Sequence, residues 1–215
     1  MIEYIGNNFD LILTAFGQHI ALALIPVLIG VVVALPLGYL AVRRDWLYQP
    51  IVTITGVLYS IPSLALFVVL PVIIGTKVLS PLNIIVALAI YTVALLVRSV
   101  ADALRSVDRT VTQAATAMGY RPVKRLFGVD LPIALPVMLA GLRVATVSNI
   151  SLVSVGAIIG VGGLGSLFTR GLQLRFAEPI IVGIVLSVLL AAVCDSLIVL
   201  AQRYFTPWAR LGGRA

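Results

Sequence analysis

The chain has 215 residues, 61% of them hydrophobic and 11% charged, with a mean hydropathy of +1.15. That composition excludes a water-soluble domain of this size and makes the chain an integral membrane protein. The net charge of +7 is a matter of membrane topology, not of nucleic acid, and one cysteine, one histidine and eight scattered acids offer no disulfide, metal cluster or catalytic constellation.

In chain order, residues 1–19 interleave Tyr4, Phe9, Leu11 and Phe16 with Asn7, Asn8, Asp10 and Gln18. This predicts an N-terminal amphipathic segment lying against membrane lipid at the interface, with the lone His19 as an interface anchor. Residues 20–205 form the transmembrane region. Five apolar stretches, at residues 20–42, 51–74, 81–100, 133–159 and 180–201, have the roughly 20-residue length that crosses the hydrocarbon core. The expected fold class is therefore all-α, with about five transmembrane helices plus the peripheral N-terminal one.

Pro26 and Pro36 in the first stretch, and Pro62 and Pro71 in the second, each remove a backbone donor and predict kinks. Residues 75–81, GTKVLSP, make a tight outer turn with Pro81 as the first residue of the next helix. Residues 160–178 are a Gly-rich outer connection that bends back toward the membrane. Their GVGGLG run has no strand before it and no Lys-Ser/Thr after it, so it is a bend and not a nucleotide loop.

No Lys or Arg precedes Arg43. An outer N-terminus puts twelve basic residues on the cytoplasmic side, Arg143 and Arg214 among them, against Lys77, Arg170 and Arg175 outside. The positive-inside rule thus orients the chain N-out, C-in, with residues 206–215 as a cytoplasmic tail. With no basic n-region ahead of a short apolar core, the first span itself is expected to direct insertion.

The one long polar stretch, residues 102–132, is a cytoplasmic insert. Thr110-x-x-Gln113 has the form of a capping box and predicts a helix start there. Gly119 supplies the left-handed position that ends the helix. Pro122 then opens a second short helix, to about Phe127, which closes near Leu131 and Pro132. Ala114 and Ala115 present little bulk, so another backbone can approach. Tyr120, Arg121, Lys124 and Arg125 surround the turn.

Inside the spans, Tyr59, Ser60, Pro62, Ser63, Tyr91, Asn149 and Ser151 are candidates for lining a translocation pathway, the aromatic rings being able to attract a cation. Packing and helix-to-helix hydrogen bonding are the plainer roles for the same residues. Asp195 is an ionisable group in the last span. It is expected to pair with Arg203 or with a basic residue of another helix, a proton relay being the sharper alternative.

The spacing Gln113-Ala114-Ala115, three residues, Gly119, nine residues, then Val129-Asp130-Leu131-Pro132 resembles the EAA motif of ABC importer permease subunits, with Gln in place of the usual Glu and Val in place of the usual Ile. Residues 59–71, YSIPSLALFVVLP, and residues 140–165, AGLRVATVSNISLVSVGAIIGVGGLG, together with Asp195, look like the permeases of importers for osmoprotectants such as glycine betaine, carnitine and choline.

This resemblance implies a type I ABC importer permease fold, MetI-like, in the bacterial inner membrane. It implies that the insert couples to an ATPase through Gln113, Ala114, Ala115, Gly119, Tyr120, Arg121, Pro122, Lys124, Arg125, Leu131 and Pro132. The implied partners are two copies of that ATPase, which would bind the ATP and Mg, a second permease chain, identical or related, and an extracytoplasmic binding protein. The chain itself would be a transport subunit, with no cofactor and no catalytic residues. Methionine and other amino-acid importer permeases are the nearest alternatives, and an ATP-independent secondary transporter coupled through Asp195 is the rival from another class.

Overall fold

A computed structural model describes residues 1–210, and the described residues are almost wholly helical. The helices are α1 (Ile2–Asn7), α2 (Phe9–Arg43), α3 (Asp45–Ser60), α4 (Ser63–Ile74), α5 (Pro81–Arg105), α6 (Arg109–Ala117), α7 (Pro122–Arg125), α8 (Leu131–Gly156), α9 (Gly165–Leu174) and α10 (Ala177–Phe205). A π-helical turn, Leu126–Asp130, joins α7 to α8, and 3-10 turns follow α8 and α10. Residues 211–215 of the expected tail, with Arg214, lie outside the described residues.

Four helices are long and apolar enough to cross a membrane, and the bent pair α3–α4 makes a fifth span if taken as one. The expected span at residues 51–74 is not one straight helix. It breaks at Ile61-Pro62 and turns by 101°. Proline disfavours the α conformation in the residue before it, and Ile61 is accordingly extended (φ −65°, ψ 130°). The Tyr91 hydroxyl donates to the carbonyl of Ile61 and so satisfies an acceptor that the break has freed. Pro26 and Pro36 do not break α2, nor Pro71 α4.

The expected boundary at residue 19 is likewise not a helix boundary. The short α1 ends at Asn7, and Phe9–Arg43 is one helix of 35 residues, about 52 Å at 1.5 Å per residue. That exceeds a hydrocarbon core of about 30 Å, so α2 carries extra turns beyond a single crossing.

α5 is the centre of the bundle and packs against α2, α3, α4 and α8. Its Ile84, Ala87, Leu88 and Tyr91 meet Leu22, Phe67, Ile150 and Val153 in the main apolar cluster. Close approach to α2 depends on small residues. A Cβ at Gly38 would stand 2.6 Å from Val100 Cγ1, so only glycine lets these two backbones sit so near. At the opposite end of α5, Asn83 Nδ2 donates to the carbonyls of Lys77 (2.8 Å) and Val78 (3.1 Å), and Asn83 Oδ1 accepts from the Thr76 hydroxyl, which fixes the turn ahead of α5. Pro81 opens α5 as expected, with Ser80 as its cap.

Arg143 departs from the topology count. It lies midway along α8, where its Nε and a terminal guanidinium nitrogen donate to the two carboxylate oxygens of Asp195 at 2.6 and 2.8 Å. It is a residue of the span, not of the cytoplasmic side, and its partner explains how α8 carries a charge at that depth. Its removal from the tally leaves the sign of the asymmetry unchanged.

Candidate functional site

The insert is a helix-turn-helix whose parts are fixed by local chemistry. Its first helix begins two residues earlier than the capping-box reading predicts. Asp108 is the N-cap, accepting from the Thr110 N–H at 2.7 Å and from its hydroxyl at 2.8 Å. These donors, the backbone N–H first, hold the Asp108 carboxyl below the usual carboxylate range. Asp108, being charged, is a stronger acceptor than the Thr110 hydroxyl, and with Thr110 drawn into the first turn Gln113 is left exposed and free of any cap bond.

The helix ends as the sequence predicts. Gly119 has φ +85°, its N–H donates to Thr116 O (3.0 Å), and the Tyr120 N–H donates to Ala115 O (3.1 Å). That pair of bonds is a Schellman motif. Pro122 opens α7, but the second helix does not close at Leu131 and Pro132. It passes through the π-turn and runs on as α8, because the apolar residues that follow keep helical pattern.

Two further contacts stiffen the knob. Arg125 reaches Asp130 Oδ2 (3.2 Å) and Thr116 Oγ1 (3.1 Å), tying α6 to the second helix, and Lys124 lies over the Tyr120 ring at 5.1 Å. Ala115 is buried inside the knob, whereas Gln113, Ala114, Gly119, Arg121, Pro122 and Lys124 are exposed. Beside them stand bare apolar side chains: Met118, 71% exposed, and Phe127, 68% exposed. Leu131 and Pro132 are half-buried at the junction with α8.

The candidate pathway residues scatter. Tyr59, Ser60 and Pro62 are exposed at the α3–α4 break and Ser63 is half-buried there, with Tyr91 buried behind them in edge-to-face contact with Tyr59 at 5.8 Å. Ser151 is exposed on α8. Asn149 is sealed between helices, donating to Thr92 Oγ1 (2.9 Å) and toward Ala23 O (3.4 Å), the arrangement of an interhelical tie.

His19 is not at an interface. It is fully buried, Nε2 2.9 Å from Ile150 O, while Nδ1 accepts from the Leu164 N–H at 3.1 Å. The neighbouring Gln18 accepts from the Gly163 N–H at 3.2 Å. Together they pin the glycine-rich bend, which leads into α9. Its partners are backbone groups more than 130 positions away, which no local sequence signal marks.

Residues 26–210 match the family of binding-protein-dependent transport system inner membrane components. The chain belongs to that family. This permease is 34% identical over 209 residues to the osmoprotectant import permease protein OsmW of Salmonella typhimurium, covering 96% of this chain and 97% of that protein. It is 32% identical to the choline transport system permease protein OpuBB of Bacillus subtilis, covering 96% and 94%. In fold it superposes on a chain of the inward-facing MetNI methionine ABC transporter with a TM-score of 0.84, 24% identity and 92% and 97% coverage. The permease thus has the expected type I ABC importer architecture, is an integral inner membrane protein, and is a transport subunit and not itself an enzyme.

Proposed function

We propose that this permease forms the membrane pathway of an ATP-driven importer for quaternary ammonium osmoprotectants, of the glycine betaine, carnitine and choline class. The names of its full-length relatives, which include an osmoprotectant permease and a choline permease, support the substrate class. The observation that carries the mechanism is the insert: a rigid knob with a glycine-locked turn, bare apolar side chains and basic residues, continuous with α8.

In this reading the N-terminus is outside, and each of two ATPase subunits docks on one knob of a permease pair. ATP binding there draws the knobs together, and because α7, the π-turn and α8 form one uninterrupted helix, the displacement reaches the spans as a rigid-body swing between inward-open and outward-open states. An extracytoplasmic binding protein delivers the solute, past Tyr59, Ser60, Pro62 and Ser63 at the α3–α4 break and Ser151 on α8. The engagement of both Asp195 oxygens by Arg143 favours a structural ion pair there over a proton-coupling carboxylate.

The test is Gly119→Val. A Cβ at Gly119 meets nothing within 4 Å, so the change acts through φ +85°, which a β-branched residue does not tolerate. The variant is expected to insert normally, to lose the ATPase on purification, and to lose ATP-dependent choline or glycine betaine uptake. An intact complex with full uptake would overturn the coupling role.

A further inference from the structure

Two cavities adjoin at the end of the bundle that carries the insert. One, about 700 Å³, is a trough between α2, α5, the start of α8 and the end of α10, walled by apolar side chains such as Leu35, Leu104, Leu135 and Met138. The other, about 690 Å³, lies between the ends of α2 and α5 and the insert, and holds Arg43, Arg105, Arg109 and Arg125 with only Asp45 and Asp130 to balance them. Tyr39, Leu104 and Leu126 belong to both walls, so the two are one groove with an apolar half and a basic half.

Arg125 is paired with Asp130, but no ion pair engages Arg43, Arg105 or Arg109 among the described residues. Arg105 instead stacks on Tyr48 at 3.3 Å, and Arg43 lies over Tyr39 at 5.9 Å. The two halves are also ordered in depth. On α2 the trough begins at Leu35 and the basic half is reached at Arg43, about 12 Å along the axis, and on α5 Val100 and Leu104 precede Arg105. Arginines at helix ends with apolar wall beneath them reproduce the section of one leaflet, headgroup above and acyl chain below.

We infer that this groove is a binding site for one anionic phospholipid, its phosphate among Arg43, Arg105 and Arg109 and an acyl chain along the trough. The exposed arginines without an acidic partner favour an anion, and the apolar trough beside them favours a hydrocarbon tail on the same molecule. An acidic protein loop would meet the arginines and leave the trough empty. An apolar helix would fill the trough and leave the three arginines beside it without a counter-charge. Because Arg109 and Arg125 belong to the helix-turn-helix and Arg43 and Arg105 end the helices α2 and α5, the lipid phosphate would brace one against the other. The inference does not depend on the transported solute.

Native mass spectrometry of the purified importer complex in mild detergent tests it, with added phosphatidylglycerol, phosphatidylcholine of the same chains, or inorganic phosphate. One phosphatidylglycerol per permease chain is expected to survive washing that removes phosphatidylcholine, with a preference of about tenfold or more. Arg43→Gln with Arg109→Gln should abolish the preference, and Leu35→Trp, at an exposed residue of the trough wall, should remove retention of either lipid. Arg109→Gln alone, expected to lower the preference severalfold, replaces the double variant if that does not accumulate. Equal retention of the two lipids, an unchanged preference in the arginine variants, or displacement of phosphatidylglycerol by millimolar inorganic phosphate would each overturn the assignment.

Discussion

α5 and α10 are matched in sequence character and opposite in surroundings. Their most apolar windows have mean hydropathies of 2.3 and 2.6, yet α5 is 61% buried inside the chain and α10 only 6%. Hydropathy measures compatibility with a lipid interior, and a lipid tail is as apolar as a leucine, so it does not distinguish a helix covered by protein from one covered by something else. What separates the two is small residues and polar ties. α5 buries five alanines from Ala87 to Ala103 and the polar Asn83 and Thr92, and α2 turns Gly38 toward it. α10 is held chiefly along α8 and α9, with the Arg143–Asp195 pair as its strongest single fastening.

The largest effect is expected from breaking that fastening on one side only. Asp195→Ala leaves the Arg143 guanidinium without its partner inside a span, and most of the chain should then be lost from the monodisperse fraction in size-exclusion chromatography of mild-detergent extracts. Combining Arg143→Leu with Asp195→Leu should restore much of that fraction, because two apolar residues suit a lipid-depth site. An Asp195→Ala chain that extracts as well as the parent would show α10 to be held by packing alone.

Gly38→Leu sharpens the other side of the comparison. Forcing a side chain into the α2–α5 contact should cost about 1–3 kcal/mol, read by denaturant unfolding in detergent. Gly17→Leu, on the same helix with no atom within 4 Å of a built Cβ, should stay within about 0.5 kcal/mol of the parent. Equal losses in the two would mean that close approach to α5 does not set the cost at Gly38, since leucine is the better helix former at both positions. The smallest effect belongs to the bare face of α10. Leu189→Ala, at a residue 54% exposed, should shift the stability of the chain by less than about 0.5 kcal/mol, whereas a loss seen only in the assembled complex would mark that face as a subunit contact.

The same contrast sets what was legible in the sequence. Features governed by one residue's backbone chemistry were readable in advance: the Gly119 turn, Pro81 and Pro122 at helix starts, the break at Pro62. Where two local signals competed, the charged acceptor won, and Asp108 took the cap that Thr110 and Gln113 seemed to form. The bond from Tyr91 to the carbonyl freed at Ile61 was not readable, because it comes from another helix. His19 was misread as an anchor for the same reason, its partners being backbone groups brought to it by the fold. Asp195 stood out as a charge in a span, but nothing along the chain distinguished Arg143 from Arg203 as its partner.

The π-turn at Leu126–Asp130 sets an angular phase. A helix advances about 100° per residue, so the single extra residue that such a turn accommodates rotates everything beyond it by roughly that amount relative to the insert. In the 38-residue run Pro122–Ile159 the knob and Arg143 therefore share one axle, and their relative bearing is fixed by that one turn. Deleting a residue there would leave both ends chemically intact and aim Arg143 away from α10, a fault of timing in a machine whose parts are all present.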